Sequence, residues 1–360
     1  MTTKGRPAAL GEETMKPLIT ALVDTYNHER YIEQALVSVL EQGLSATEME
    51  VIVVDDGSTD KTPSIVQKFV PRVKHVRKIN GGQASAFNAG FAQAQGEIVA
   101  ILDGDDWWAA KKVTTVVEAL EQNPHVAAVG HGHFKFYEDT NELEACVPPG
   151  RMLVNMEMPC AVRSWPFLLM GALTVRRSLL EWIMPIPENM IFMADSAIQA
   201  AATIMGTLVL EEPLFYYRWH RRNLFAFDSR DASNAASLRR KAEMSELVYE
   251  GVSKRLRQLG VPSEQVSTML GDACLDSRRS RLLMSGGRRV EAFQTEMQCF
   301  HRAYKNPTFA YRLYKYFVLA TATMLLPPQR FYKLRQWYAN HELGRYRNWF
   351  LREDAAGSKK

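Results

Sequence analysis

The stretch that decides the fold reads Glu97-Ile98-Val99-Ala100-Ile101-Leu102-Asp103-Gly104-Asp105-Asp106. Its first six residues form the kind of short, mainly apolar run that is buried on both faces of a parallel sheet, so they predict a β-strand. The acidic residues follow at the carboxyl end of that strand, the edge at which open α/β sheets bind ligands. Carboxylate oxygens are the ligands that Mg²⁺ prefers, often together with a bound diphosphate. The run indicates a cation site, with a solvated acidic turn as the plainer alternative.

Upstream of this run, the order of strand, polar loop and helix occurs three times. The strands are predicted at residues 18–24, 51–54 and 73–76. The first helix carries its apolar residues on one stripe, at Ile32, Ala35, Leu36, Val39 and Leu40. Right-handed crossovers would bring the carboxyl ends of these strands to one sheet edge. The pattern therefore predicts an α/β fold with a nucleotide site at that edge.

Four segments carry a resemblance to a known protein family. They are Thr25-Tyr26-Asn27, residues 53–60, residues 80–90 and residues 102–106. Taken in order, they resemble the family 2 glycosyltransferases, which have the GT-A fold, and the match extends over residues 18–225. The resemblance implies a nucleotide-sugar donor, usually UDP-linked, a divalent cation, Mg²⁺ or Mn²⁺, and inversion at the anomeric carbon.

The resemblance also implies roles for individual residues. It assigns these residues to nucleotide binding: Thr25, Tyr26, Asn27, Asp55, Asp56, Gly82, Gln83 and Asp103. Asp103 and Asp105 would form the metal-binding pair. One departure from the family pattern is Asp24, where relatives commonly carry proline. A carboxylate at this position changes the charge of the first loop.

A candidate catalytic base lies far downstream, at Asp195. Inverting sugar transfer needs a base that takes the proton of the acceptor hydroxyl and an electrophile that neutralises the departing diphosphate. The resemblance implies that an Asp of an acidic pair at a helix start is the base, and Asp195 occupies that place. Ala194 replaces the usual preceding acid. The alternative is that Asp195 is only the N-cap of the following helix.

Residues 215–223 resemble the family's Tyr-Arg-x-His-x-x-Asn segment. The resemblance makes His220 a candidate ligand that completes the shell of the cation, although a lone histidine is more often structural. Arg218, Arg221 and Arg222 could meet the diphosphate, because guanidinium groups are planar donors that suit phosphate oxygens.

Length and composition predict one catalytic domain with an appendage, since 360 residues that are 46% hydrophobic can build an ample core. We expect a loose tail at residues 1–17, a GT-A-like domain at residues 18–228 and a mostly helical region at residues 229–360. The tail lacks the apolar core of a signal peptide. The four cysteines show no metal spacing and no dense pairing, which favours a reducing cytosol.

The C-terminal segment is basic and rich in aromatic residues. Residues 301–360 contain 12 Lys or Arg against 3 Asp or Glu, a net charge of +9. Its apolar run at residues 317–328 is too short for the ~20 residues of a transmembrane helix. We expect an interfacial helix pair on anionic lipid, at the cytoplasmic face of the plasma membrane. A basic helical cap that packs on the catalytic domain is the alternative, and a nucleic-acid surface is not expected.

The sequence as a whole favours an inverting, metal-dependent glycosyltransferase. Its expected acceptor is a hydroxyl of a glycan or lipid-linked molecule in surface polysaccharide or glycoconjugate synthesis. A noncatalytic nucleotide-sugar-binding scaffold is the alternative that Ala194 keeps open. A nucleotidyltransferase is disfavoured, because the Gly-rich basic loop expected after the first strand is missing from residues 24–27.

Overall fold

A computed structural model describes residues 17–157, 168–191, 193–220, 223, 235–303 and 309–340. The chain divides into two compact units, Met1–His220 and Arg221–Lys360. The division falls eight residues before the domain boundary expected from the sequence. The expected tail, residues 1–17, lies almost entirely outside the described residues.

The first unit is built on a mixed sheet in which ten strands of the described residues pair. The strands are β1 Ile19–Thr25, β2 Met49–Asp55, β3 Lys74–Arg77, β4 Ile98–Asp103, β5 Trp107–Trp108, β6 Ala128–Tyr137, β7 Glu142–Cys146, β8 Met152–Val154, β9 Thr174–Arg176 and β10 Thr207–Trp219. Their order is β3-β2-β1-β4-β9-β6-β10-β5, with β7 on β6 and β8 on β10. The four strands predicted from the sequence are confirmed as β1 to β4, with ends that differ by one to two residues.

Helices cover both faces of the parallel part of this sheet. They are α1 Ile32–Leu40, α2 Thr62–Gln67, α3 Gln83–Phe91, α4 Lys112–Gln122, α5 Arg177–Ile183 and α6 Asp195–Met205. Alternate residues of a strand point to opposite faces. Val23 and Val53 share a buried cluster with α1 and α4, whereas a Cβ added at Gly90 of α3 would lie 2.9 Å from Val54 Cγ2. α3 therefore packs on the opposite face from α1 and α4.

Strand register brings the acidic and polar strand ends together. β1 lies between β2 and β4 and is parallel to both, with Asp24 opposite Asp103 and Thr25 opposite Asp55. The loop after β4 packs closely on the loop after β1. A Cβ at Gly104 would lie 2.7 Å from Thr25 Oγ1 and 2.9 Å from His28 Nδ1, so only glycine fits at this position without a shift.

The second unit is helical in its described residues, as expected. Its helices are α7 Ala235–Gln258, α8 Ser263–Ser285, α9 Arg289–Ala303, α10 Phe309–Leu325 and α11 Pro328–Asn340. A small core joins α8, α9 and α11 through Leu282, Ala292, Phe331 and Tyr332. No helix in the described part of the chain is long and apolar enough to cross a membrane.

Candidate active site

Four carboxylates converge where β1 and β4 end. Asp24 is the sixth residue of β1, and Asp103 is the last residue of β4. The turn that follows is short, because Asp106 N donates to Asp103 O at 3.0 Å and Gly104 N donates to Asp24 O at 2.8 Å. Asp106 is buried, and Asp103 and Asp105 are half-buried. The sequence prediction that Asp103 and Asp105 share one edge of the sheet agrees with this geometry.

The crowding of these acids raises most of their pKa values. Burial, together with the charges of Asp105 and Asp195, raises the pKa of Asp103 to about 7. Burial and then the neighbouring Asp103 raise the pKa of Asp24 well above its usual value. Burial, followed by repulsion from Asp105, does the same to the pKa of Asp106. Asp24 Oδ1 is buried without a hydrogen-bond partner. The site therefore concentrates negative charge that a cation would neutralise.

Asp105 differs from its neighbours because two histidines face it. Burial alone would raise its pKa, but His28 and His220 lower the pKa below the usual value. His220 Nε2 lies 3.0 Å from Asp105 Oδ2, and the His220 ring stacks on Tyr31 with a centroid separation of 4.8 Å. His220 is thus placed to orient Asp105. This contact occupies Nε2 of His220, the residue that the sequence analysis predicted as a ligand of the cation.

Arg218 contacts the acidic turn. Its backbone N donates to Asp106 Oδ1 at 2.7 Å, and its Nε donates to Asp105 O at 2.8 Å. The guanidinium also lies 4.5 Å from the ring centroid of Trp107 and 4.9 Å from that of Tyr31. Arg218 therefore holds the acidic turn in place, and its contact with a diphosphate stays a prediction. Arg221 and Arg222 lie outside the described residues.

Asp195 is the first residue of α6, one position inside the helix from its N-cap, Ala194, and the backbone N–H groups of Ser196 and of Asp195 itself hydrogen-bond to its carboxylate. Gln199 Nε2, one turn later, donates to Asp195 Oδ2 at 2.9 Å. Burial raises the pKa of Asp195 to about 6, although hydrogen bonds to its carboxylate lower the pKa. The carboxyl group is half-buried, so one side is open to an incoming molecule. At neutral pH this group is mostly ionised and can accept a proton.

Gln83 lies between Asp195 and the acidic cluster. Its Oε1 accepts from Ala194 N at 2.9 Å, and its own N donates to Ile191 O at 3.0 Å. A hydrogen bond from its side chain lowers the pKa of Asp103, although burial and neighbouring acids raise that pKa more. Gln83, predicted to bind nucleotide, therefore connects the start of α6 with the end of β4.

In the loop that is predicted to bind the nucleoside, one aromatic ring is exposed, and other side chains form hydrogen bonds within the protein. Tyr26 is 44% exposed, so its ring is open to a base. Asn27 adopts a left-handed φ of 57° and its Oδ1 accepts from Thr59 N at 2.8 Å. This bond ties the first loop to the second, and the contact of Asn27 with the nucleotide stays a prediction.

Asp55 and Asp56, at the end of β2, make different contacts. Asp55 is fully buried; its Oδ1 accepts from Ser58 N at 2.8 Å, while its Oδ2 has no hydrogen-bond partner. Asp56 receives Lys78 Nζ at 2.7 Å and Gly82 N at 2.7 Å. The Asp56 carboxylate therefore helps to build the Gly-rich turn, and its contact with the nucleotide stays a prediction. Gly82 has φ 83° and packs on Ile191, so the turn requires glycine there.

Three residues at the site were missed by sequence reasoning. His28 faces Asp105, Asp24 joins the acidic cluster, and Tyr217 lies near enough to Asp106 and Asp105 that, after burial, they raise its pKa. Asp24 was noted only as a departure from the family pattern. Its place at a strand end was a usable signal, but its meaning depended on β1 and β4 being neighbours.

Comparison with known proteins agrees with this geometry. The sequence model of glycosyl transferase family 2 matches residues 20–155, which include the loops after β1, β2 and β4. Over those residues this chain resembles glycosyltransferase family 2. The recognition and the α/β, GT-A-like fold class predicted from the sequence are therefore confirmed.

Individual relatives cover only part of the protein. An uncharacterized glycosyltransferase of Nostoc sp. is 33% identical over 213 residues, which are 57% of this chain and 66% of that relative. EpsJ of Bacillus subtilis, also an uncharacterized glycosyltransferase, is 31% identical over 229 residues, 58% of this chain and 63% of EpsJ. The matches thus span just under two thirds of these relatives.

The fold is also that of a solved glycosyltransferase. The crystal structure of TarS 1-349 from Staphylococcus aureus superposes with a TM-score of 0.55 at 16% identity and covers 85% of this chain and 91% of that one. A TarS structure in complex with UDP-GlcNAc gives a TM-score of 0.50 at 18% identity over the same shares. At this level of identity the likeness shows the fold alone.

Proposed function

We propose that this protein is an inverting, metal-dependent glycosyltransferase that uses a UDP-linked sugar. The observation that carries the proposal is the acidic cluster at the ends of β1 and β4, with the half-buried carboxyl group of Asp195 close enough to raise the pKa of Asp103. One group of acids suits a cation and diphosphate, and the separate acid suits a proton acceptor.

The residues present fit a divalent cation. Asp103 and Asp105 would hold it, because the raised pKa of Asp103 and the unpartnered Asp24 Oδ1 mark a site that lacks positive charge. In the described residues, no three His, Cys, Asp or Glu side chains are arranged to hold a metal ion. A cation here would therefore take its other ligands from diphosphate and water, as Mg²⁺ commonly does. When bound, it would supply positive charge to the departing diphosphate.

The chain's own residues then account for the transfer step. Asp195 accepts the proton of the acceptor hydroxyl as that oxygen bonds to the anomeric carbon. The bond from the anomeric carbon to the diphosphate oxygen breaks, and UDP leaves with the bonding electron pair. Gln199 steadies Asp195, while Arg218 and His220 hold the turn that carries Asp105.

Donor and acceptor are proposed from the relatives. TarS has been solved with UDP-GlcNAc, and its name describes a poly(ribitol-phosphate) beta-N-acetylglucosaminyltransferase. Tyr26, which is 44% exposed, and Asp55 are the residues that we propose for the uracil nucleoside. We extend this to a hexosyl or N-acetylhexosaminyl donor and to a glycan or lipid-linked acceptor in surface polysaccharide or glycoconjugate synthesis. A peripheral position on the inner face of the plasma membrane would suit such an acceptor.

Two measurements test the activity. UDP binding is measured by titration calorimetry with and without Mn²⁺, and sugar release from a panel of labelled nucleotide sugars is measured in water alone. We expect cation-dependent UDP binding and slow release from one UDP-linked sugar. No release from any donor, with UDP still bound, would instead support the noncatalytic scaffold, which Ala194 favours because it replaces an acid beside the base. No UDP binding would contradict both.

A further inference from the structure

Two neighbouring turns form one end of the helical unit, and we call residues 286–290 with residues 324–334 the two-turn tip. The first turn links α8 to α9, and the second links α10 to α11. Arg289 Nη1 donates to Met324 O at 2.7 Å, and Gln329 Nε2 donates to Met284 O at 3.2 Å. These bonds hold the two turns side by side.

The two-turn tip exposes aliphatic side chains above a closed core. Met324 is 70% exposed, Leu325 is 72% exposed and Val290 is 63% exposed. Beneath them, Leu319 and Leu326 pack on the core of the unit. The sequence pattern suggested Phe317, Leu319, Leu325 and Leu326 for membrane insertion. Of these, Leu325 is exposed beside Met324, whereas Leu319 and Leu326 pack on the core. Single exposed aliphatic residues are ordinary, but neighbouring ones mark an interaction surface.

The charge around these side chains has one sign. Residues 286–290 and 324–334 contain four exposed bases, Arg288, Arg289, Arg330 and Lys333. The same two ranges contain no Asp or Glu. Aliphatic side chains surrounded by cations match a layer that is apolar inside and anionic at its surface. A single-stranded nucleic acid would instead call for exposed rings on which bases stack.

We propose that the two-turn tip docks on an anionic lipid bilayer. Met324 and Leu325 enter the boundary between headgroups and acyl chains, and the four bases contact anionic headgroups. This inference deepens the membrane association proposed above and rests on that proposal. It gives the association a defined surface on the second unit.

The test is flotation of the full-length protein with phosphatidylcholine vesicles that contain or lack phosphatidylserine, at low and high salt. We expect Arg330→Gln/Lys333→Gln to weaken low-salt binding by about fivefold for each base removed. Met324→Ser/Leu325→Ser should remove the fraction that stays bound at high salt, because apolar insertion is not screened. Neutral vesicles should bind the unaltered protein far more weakly.

Matched controls lie on α7 of the same unit. Leu247→Ser replaces an aliphatic residue that is 61% exposed, and Lys254→Gln/Arg257→Gln removes two exposed bases. These variants should float like the unaltered protein, and circular dichroism should show that all variants remain folded.

Three outcomes would overturn the proposal. They are equal binding by tip and control variants, equal binding to neutral vesicles, and a concentration-dependent dimer that Met324→Ser/Leu325→Ser abolishes without any vesicle binding. UDP titration of the same samples without vesicles keeps the two proposals separate. If the unaltered protein binds UDP but does not float with anionic vesicles, the docking surface is overturned and the catalytic proposal stands.

Discussion

Asp195 is the residue on which the proposed chemistry depends most directly. Replacing it with asparagine keeps its size but removes the proton acceptor, so we expect Asp195→Asn to lower kcat by ~10² to 10⁴. UDP affinity should change little, because the acidic turn that faces the nucleotide is untouched. Steady-state kinetics and UDP titration measure the two effects. Unfolding of the variant, or loss of UDP affinity with kcat intact, would contradict the assignment.

The pH profile gives a second test of Asp195. Burial raises its pKa to about 6, and only the ionised form accepts a proton, so kcat should fall as the pH drops through about 6. Gln199 stabilises the ionised form through its hydrogen bond to Oδ2. Gln199→Leu should therefore move this acidic limb to higher pH while the protein stays folded. A limb that does not move in Gln199→Leu would assign it to another group.

Asp103 should link cation binding to pH. Its pKa is raised to about 7, and a carboxyl group must lose its proton before it binds a metal, so Mn²⁺ affinity should fall as the pH drops through about 7. Asp103→Asn should abolish cation-dependent UDP binding at every pH. Calorimetry measures both, with the exposed Asp139→Asn as a charge-matched control. Unchanged cation dependence in Asp103→Asn would rule out the proposed site.

The sequence suggests a residue's role where the residue lies in a known motif. It says less where the role depends on neighbours in the folded structure. Asp103, Asp105 and Asp195 were proposed because their spacing relative to strands and helices matches a known pattern. The contacts of the Arg218 guanidinium with Tyr31 and Trp107 were not predicted, because they join residues that are distant in the sequence. The position of Asp24 opposite Asp103 required the strand order.

Among the helices of the first unit, Gln83 connects α3 with α6. It begins α3, and its Oε1 holds Ala194 N just before α6. Gln83→Met keeps the length of the side chain but removes the bond, so α6 and Asp195 should shift relative to Asp103. We expect kcat to fall by about tenfold to a hundredfold, since small misplacements of a catalytic group are costly.

Kinetics at saturating donor measure the loss, and Gln93→Met is the control, because Gln93 follows α3 at an exposed position. A merely structural role for Gln83 would lower the unfolding midpoint and leave the kcat of the folded fraction unchanged. That result would contradict the positioning role.

Lys112 of α4 is fully buried beside the sheet. Its Nζ lies 3.2 Å from Thr174 Oγ1 and 3.9 Å from the ring centroid of Trp108, and no ion pair to it occurs among the described residues. Burial lowers its pKa well below the usual value, so the charged amine costs stability at neutral pH, where the unfolded chain keeps it protonated. Lys112→Met keeps the packing without that cost. We expect the free energy of unfolding to rise by about 1 kcal/mol.

Urea denaturation followed by circular dichroism measures this change, and Lys111→Met is the matched control, since Lys111 is the exposed neighbour. A loss of stability in Lys112→Met alone would mean that the buried amine has a charged partner. The sequence places Lys112 at the start of an amphipathic helix, where a base is ordinarily solvated. Its burial follows from the packing of the start of α4 beside β9, and the local sequence pattern does not encode this packing.

In the described part of the chain, each unit has buried residues of its own, and the sequence predicted this division only in outline. The catalytic domain was predictable because strand and helix periodicities repeat with acidic ends. The packing of the second unit was not, because its apolar residues are spread over five described helices. A cut after Lys305 would remove Phe331 and Tyr332 from the core that contains Leu282.

We therefore expect the full-length protein to unfold in two calorimetric transitions, one for each unit. A chain that ends at Lys305 should lose the transition of the helical unit, because Leu282 and Ala292 would be left without their partners on α11. It should keep the other transition and bind UDP within about twofold, because, among the described residues, the cluster that joins β1 and β2 to α1 and α4 takes its buried members from Ile19 to Phe215. Differential scanning calorimetry and UDP titration on both chains decide this. One cooperative transition in the full-length protein, together with loss of UDP binding in the shorter chain, would mean that the units depend on each other for stability.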